Sequence, residues 1–278
     1  MSGRSPCRPG QGGRAVLHAI FPVFVIDNVM LTPILTMLQK IKMRIRREAF
    51  YPSWLGAVIS PVYIVRRGLY KAVLGLSPTI GGKVLDFGCG TKPYESLFSN
   101  ATHYTGVDIE VSGHNHADSK VDVFYDGKTL PFTDGNFDSV VSFEVFEHLF
   151  NIDEVLVEVR RVLKPGGRLL VTIPFAWEEH EIPYDFARYT SYGIEHVLRQ
   201  AGFEIVRTVK STTSVLAICQ LFIAYLAKYV SPQSRFPAIA FQLLIIFPLN
   251  IISLLINAVL PNQYGYFCNF VVVCEKKT

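Results

Sequence analysis

Two runs of this 278-residue chain gather side chains that can move protons. One is Glu144, Glu147 and His148. The other runs Trp177-Glu178-Glu179-His180-Glu181-Ile182-Pro183-Tyr184-Asp185-Phe186-Ala187-Arg188-Tyr189-Thr190. An imidazole beside a carboxylate can take a proton from an oxygen nucleophile. His180 and His148 are therefore the candidate bases, with Asp185, Arg188 and Tyr189 as substrate-binding or orienting groups. A third run, Val84-Leu85-Asp86-Phe87-Gly88-Cys89-Gly90-Thr91, serves a different end. Its Gly-x-Gly turn lets a ligand approach backbone with no Cβ in the way. Asp108, 18 residues after Gly90, is placed to grip a ribose diol.

These groups need elements that deliver them to one place. Short apolar runs at 83–88, 104–108, 121–125, 139–143, 168–173, 204–209 and 267–274 read as strands. Helical patterns at 61–75, near 93–99, at 151–163 and at 191–201 lie before and between them. Asn151 can cap the third of these helices, and Lys164-Pro165-Gly166-Gly167 stops it. Such alternation predicts a parallel sheet covered on both faces, with ligands bound outside the carboxyl ends of the strands. Both proton-moving runs follow strands, the fourth and the fifth.

The spacing also fits a dinucleotide fold, but details oppose it. Pro93 occupies the place of the third fingerprint glycine, and Asp86 stands where a pyrophosphate would be repelled. An acidic site suits a cofactor that carries positive charge.

On four motifs, VLDFGCG (84–90), GVDIE (106–110), YDGKTLPFTDGNFDSVVSFEVFEHL (125–149) and VLKPGGRLLVTIP (162–174), the chain resembles the class I S-adenosylmethionine-dependent methyltransferases. The resemblance is to their ubiquinone- and menaquinone-type group and covers about residues 82–210 plus the last strand. It implies a Rossmann-like α/β sheet of order 3-2-1-4-5-7-6 with the last strand antiparallel, and S-adenosyl-L-methionine as cofactor. Carried over by position, Asp86, Gly88 and Gly90 would hold its methionine part, with Cys89 a small filler between the glycines. Asp108 would bind the ribose, Ile109 would pack on adenine, and Asp126 and Gly127 would meet the adenine amino group. Phe143 and Glu144 would line the floor. The stretch His180-Glu-x-Pro-x-Asp-x-x-Arg-Tyr-Thr190 is similar to one found in methyltransferases of bacterial cell-surface polysaccharide clusters.

Composition adds a location. Half the chain is apolar and only 18% charged, yet residues 81–210 carry 20 acidic and 12 basic residues, an ordinary density. The flanks hold the surplus oil and most of the positive charge, including Lys40, Lys42, Arg44, Arg46 and Arg47. Residues 1–80 read as a leader with basic and amphipathic helices, and 81–278 as the methyltransferase domain with an apolar insertion at 211–266. The insertion begins and ends on one sheet, so it crosses a membrane twice or not at all. Pro248 is expected to divide its longer helix, and Asn250, Ser253 and Asn257 form a polar stripe. These features favour a hairpin lying in the membrane plane at the cytoplasmic face, peripheral or monotopic. A homodimer interface is the competing use of an apolar surface.

The five scattered cysteines form no CxxC pair or Cys/His ligand spacing, so no metal is expected. Nucleic acid is disfavoured as partner because the core is acidic. The expected acceptor is a small molecule, a lipid-linked or cell-surface glycan precursor, methylated on oxygen. A quinone- or isoprenoid-type C- or O-methyltransferase is the alternative, and a non-catalytic scaffold retaining the cofactor fold is a third reading.

Overall fold

The structure, a computed structural model, describes residues 28–110 and 119–277. Most of the apolar leader lies outside the described residues. The chain forms two compact units, Met1–Met43 and Arg44–Thr278. Helix α1 (Asn28–Glu48) opens in the first, where Lys40 and Lys42 are exposed.

The second unit is built on seven strands: β1 (Gly82–Phe87), β2 (Ala101–Ile109), β3 (Val123–Tyr125), β4 (Phe137–Phe143), β5 (Leu163–Pro174), β6 (Phe203–Lys210) and β7 (Asn269–Lys276). Their order is β3-β2-β1-β4-β5-β7-β6, as expected. Strands β1 to β5 pair in parallel, and β7 runs antiparallel to both β5 and β6.

Alternate residues of these strands feed two cores, because strand side chains point to opposite faces. Leu85, Val140 and Val171 pack with α4 (Ile152–Val162) and α5 (Ser191–Gln200). Val84, Val141, Leu170 and Val271 pack with Leu69, Val73 and Leu76 of α3 (Tyr63–Leu76). Burial on both faces explains why these strands read as continuous apolar runs. The expected division at 80/81 falls inside this packed layer, since α3 itself covers the sheet.

Two local expectations are corrected. Residues 93–99 make only a short 3₁₀ turn, Glu95–Leu97. Tyr94 and Phe98 are drawn instead into the core beneath α3, which outweighs helix formation in so short a connection. Pro248 does not divide its helix. Helix α7 (Arg235–Phe241), a π turn (Gln242–Ile246) and α8 (Phe247–Val259) form one continuous run. The wider π turn just ahead of the proline makes room for a ring that would clash with the carbonyl four residues back. This 25-residue run is long and apolar enough to cross a membrane.

With α6 (Ser214–Tyr225), that run forms a hairpin whose polar residues face inward. Helix α2 (Trp54–Ile59) ends in carbonyls that have no partner within the helix. Asn250 Nδ2 donates to Ala57 O (2.9 Å) and Ser60 O (3.1 Å), and Gln242 Nε2 donates to Val58 O (2.9 Å). Gln220 Nε2 donates to Pro61 O (2.8 Å), and its Oε1 accepts from the Val65 N–H (3.0 Å). Of the expected polar stripe, Asn250 thus binds α2, while Ser253 donates to Leu249 O of its own helix (2.6 Å) and Asn257 accepts from Thr213. The outer faces are apolar instead: Phe236, Leu244, Leu255 and Val259 are 62–84% exposed.

Gly68 marks where α3 meets the start of the insertion. A Cβ there would lie 2.3 Å from Ser211 O, a backbone atom that cannot step aside cheaply. Gly68→Ala should therefore cost about 1–3 kcal/mol, as overpacking does. Thermal unfolding would show it as a lower Tm, and an unchanged Tm would contradict this close docking.

Candidate active site

Beyond β1 the chain turns sharply at Gly88 (φ +70°) and Gly90 (φ +47°). A Cβ at Gly88 would lie 2.5 Å from the Val145 side chain, so glycine is required there. At Gly90 a Cβ would meet nothing within 4 Å, because the turn faces open space. Asp108, near the end of β2, closes the turn: its Oδ2 accepts from the Gly90 N–H (3.0 Å) and its Oδ1 from the Ile109 N–H (2.9 Å).

That space is a cavity of about 430 Å³. Gly88, Cys89, Gly90, Asp108, Phe143 and Glu144 line it, as the sequence predicts, and so does His180. Sequence reasoning missed Phe50, Arg66, Tyr94 and Asn269, and assigned no role to Trp177 and Glu181 of the second run; all six complete much of the wall. Arg66 carried a weak signal, lying on α3 among Val62, Val65 and Leu69. Asn269 carried none. It reaches the site because β7 begins opposite Pro174, at the end of β5, and from there its Nδ2 donates to Glu144 Oε2 (2.6 Å).

Other expected residues lie off the wall. Asp86 is fully buried and accepts from the Tyr104 hydroxyl (2.8 Å). Asp126 Oδ1 caps its own turn, accepting from the Lys128 and Thr129 N–H groups (2.9 Å each). Ile109 and Gly127 do not line the cavity, although a Cβ on Gly127 would come within 3.9 Å of Ile109 Cγ2. Tyr189 packs against the main core instead of entering the cavity. Burial raises the Cys89 thiol to about 12, so it is a filler rather than a nucleophile.

The two proton-moving runs do meet. Phe186 and Ala187 N–H groups donate to Glu147 O (2.8 and 3.2 Å), tying the segment after β5 to the end of β4. The His148 and His180 rings come together with centroids 4.9 Å apart. Arg188 grips Asp185 through both oxygens (2.5 and 2.6 Å), and the His180 N–H donates to Asp185 Oδ2 (3.0 Å). Burial pushes the Asp185 carboxyl up, but Arg188 and the His180 N–H hold it down at about 2.

Glu147 is fully buried with no hydrogen-bond partner on either oxygen. Burial, then the neighbouring charge of Glu144, hold its carboxyl well above the usual range. Glu144 and Glu181 both line the cavity, and both have positive φ (55° and 53°), a strained backbone held at a ligand-facing edge.

With this geometry in hand, the comparisons are direct. The methyltransferase domain family model matches residues 85–171. An O-methyltransferase of Penicillium expansum is 27% identical over 176 residues, covering 53% of this chain and 61% of that protein. A fatty-acid O-methyltransferase of Mycolicibacterium smegmatis is 35% identical over 162 residues, covering 53% and 57%. A ubiquinone/menaquinone biosynthesis C-methyltransferase of Burkholderia mallei is 35% identical over 119 residues, covering 38% and 49%. The chain thus spans about half to six-tenths of the length of these curated relatives. Among solved structures, an S-adenosylmethionine-dependent methyltransferase of Mesorhizobium loti overlays on 75% of this chain and 98% of its own, at a TM-score of 0.48 and 14% identity.

S-adenosylmethionine is the cofactor that the matched methyltransferase domain implies, and the residues present fit it. The open space over Gly90 admits a ligand against backbone, Asp108 stands on the wall where a ribose would sit, and the cavity-lining Glu144 with the buried Asp86 behind the turn makes the surroundings suit a sulfonium.

Burial raises the Asp86 carboxyl to about 7, against the pull of the Tyr104 hydroxyl and Lys92. Its neutral form is therefore favoured by folding. The stability it contributes is complete below its unfolded value and is lost as pH rises through about 7. At 1.36 kcal/mol per unit, the whole effect is on the order of 4 kcal/mol. Asp86→Asn keeps an acceptor for Tyr104 and cannot ionise. Its Tm should fall less than that of the unmodified protein between about pH 5 and pH 8. Parallel Tm curves for the two proteins would contradict this burial of charge.

Proposed function

We propose that this chain is an S-adenosylmethionine-dependent methyltransferase that acts at a membrane surface, on an oxygen of a lipid-linked or cell-surface glycan precursor or a similar amphipathic molecule. One observation carries the reading: His180, Glu144 and Glu181 share a single cavity with Gly88, Gly90 and Asp108. When bound, S-adenosylmethionine supplies an electrophilic methyl group on a positively charged sulfur.

The chain's own residues have two tasks. Asp108 and the Gly88–Gly90 turn hold one reactant, and the cavity wall around Trp177 and His180 aligns the other, a proximity effect of several kcal/mol. The His148–His180–Glu147 cluster then relieves the acceptor hydroxyl of its proton while the oxygen bonds to the methyl carbon and the carbon–sulfur pair returns to sulfur. The likeness of residues 180–190 to polysaccharide-cluster methyltransferases supports a glycan precursor. A relative named for fatty-acid methylation supports an acceptor with a lipid tail.

Asp108→Ala should abolish cofactor binding measured by calorimetry. His180→Ala should leave that binding intact and lower kcat about 100-fold. Full turnover in His180→Ala would remove this cluster from the reaction. Incubating the protein with labelled cofactor and a total lipid extract, then identifying the product by mass spectrometry, tests the acceptor. A product methylated on carbon would shift the reading to quinone-type chemistry.

Membrane attachment is supported by the insertion's inverted pattern, polar within and apolar without. Because Gln220, Gln242 and Asn250 are bound to α2, α3 and the turn between them, the hairpin lies along the domain and offers only its outer faces to lipid. Leu244→Glu with Leu255→Glu should abolish cosedimentation with anionic vesicles. A variant that still sediments but loses a dimeric mass in solution would assign the face to a second copy of the chain.

A further inference from the structure

The cluster at the His180 side of the cavity has a chemical imbalance. His148 Nδ1 lies 2.8 Å from Tyr184 O, which can only accept, so the ring carries its proton on Nδ1. Nε2 is then a bare lone pair, and it is buried without a partner. It faces Glu147 Oε1 at 3.8 Å and Glu181 Oε2 at 3.7 Å.

His180 repeats the pattern. Its Nδ1 is 3.2 Å from Asp185 Oδ2 and 3.3 Å from Glu178 O, two more acceptors. Arg188 Nη2, 3.4 Å from the same nitrogen, is engaged by Asp185 Oδ2 (2.6 Å) and Glu178 O (3.1 Å). The proton thus sits on Nδ1, and Nε2 looks back at Glu147 Oε1 from 3.9 Å. Two imidazole lone pairs therefore converge on a carboxyl group whose oxygens are buried and have no hydrogen-bond partner.

We propose that Glu147, His148 and His180 bind a divalent first-row transition-metal ion. Their ligand atoms all lie within 4.8 Å of one another. Metal–ligand bonds of about 2.0–2.2 Å place ligands roughly 3.4 Å apart across a tetrahedral centre, so the two contacts to Glu147 close by about half an ångström and the widest pair by up to about 1.4 Å. Two nitrogens and a carboxylate suit zinc, iron, cobalt or manganese better than magnesium. The outer groups are already those of a metal site: each histidine donates its far N–H, one to Tyr184 O and the other toward Asp185, which fixes the tautomer and the ring.

The inference is independent of the methyl-transfer reading for binding and rests on it only for a role. A cation on the cavity's His180 side would make an acceptor hydroxyl more acidic, its proton leaving to solvent as the oxygen bonds to the methyl carbon and the carbon–sulfur pair returns to sulfur. His180 would then act as a ligand and not as the base.

Full-length protein in detergent, stripped with a chelator and titrated with Co²⁺ alone, tests the proposal. One equivalent of Co²⁺ should bind, with visible ligand-field absorption that Zn²⁺ displaces. Glu147→Gln, His148→Ala and the partly exposed His180→Ala should each weaken binding at least tenfold, with unchanged circular dichroism showing that the fold persists. Asp108→Ala should bind Co²⁺ normally while losing S-adenosylmethionine, which separates this site from the proposed function. Absence of the absorption bands, equal binding in Glu147→Gln and His148→Ala, or preference for Mg²⁺ over Co²⁺ would overturn it.

Discussion

The structure depends on one antiparallel strand, β7, wedged between β5 and β6. Its backbone pairs with both neighbours from Phe270 to Glu275, and its centre is wholly apolar and buried. Because the last strand must return to this slot, the chain after β6 has to leave the sheet and come back to the same edge. The insertion is that excursion, and its two ends are pinned where Lys210 pairs with Phe270. At the same end of the strand, Cys268 O accepts from the Phe175 and Ala176 N–H groups (2.7 and 3.1 Å), which steers the segment after β5 toward the cavity. Asn269, one residue further on, reaches Glu144.

Charge sets the second constraint. Asp86, Glu144 and Glu147 are all carboxyls removed from water at one end of the sheet. Burying even one such group is costly unless it is neutralised or paired. Here the nearby cations, Lys92, Arg66 and Arg188, each lower the charge cost of one carboxyl only in part. A site with a residual deficit of positive charge suits the ligands proposed for it, a sulfonium in the cavity and a cation beside it. The same imbalance would be a liability in a protein that merely had to be stable.

Much of this was legible in the chain because it is local. The Gly88–Gly90 turn, the spacing to Asp108 and the alternation of strands and helices are short-range patterns, and all appear where expected. The meeting of His148 with His180 was half legible: both follow strands whose ends share one edge. Their joint facing of Glu147 was not, since it depends on two backbone hydrogen bonds between segments remote in sequence. Metal-ligand spacing was invisible for the same reason, because the candidate ligands come from two separate strand ends. The helix expected at 93–99 was lost to the burial of Tyr94 and Phe98. The role of Asn250 was not legible because a polar stripe on an oily helix has no direction until its partner is known, and its partner is α2.

The sequence by itself therefore determined the sheet, the cofactor turn and the uneven placement of oil and charge, since periodicity and turn chemistry act over a few residues. The tertiary structure alone decided which wall Arg66 and Asn269 complete, which way the insertion's polar side chains face, and that two histidine lone pairs meet one buried carboxylate. Those outcomes are set by long-range packing and by the requirement that buried polar groups find partners, neither of which leaves a spacing to read.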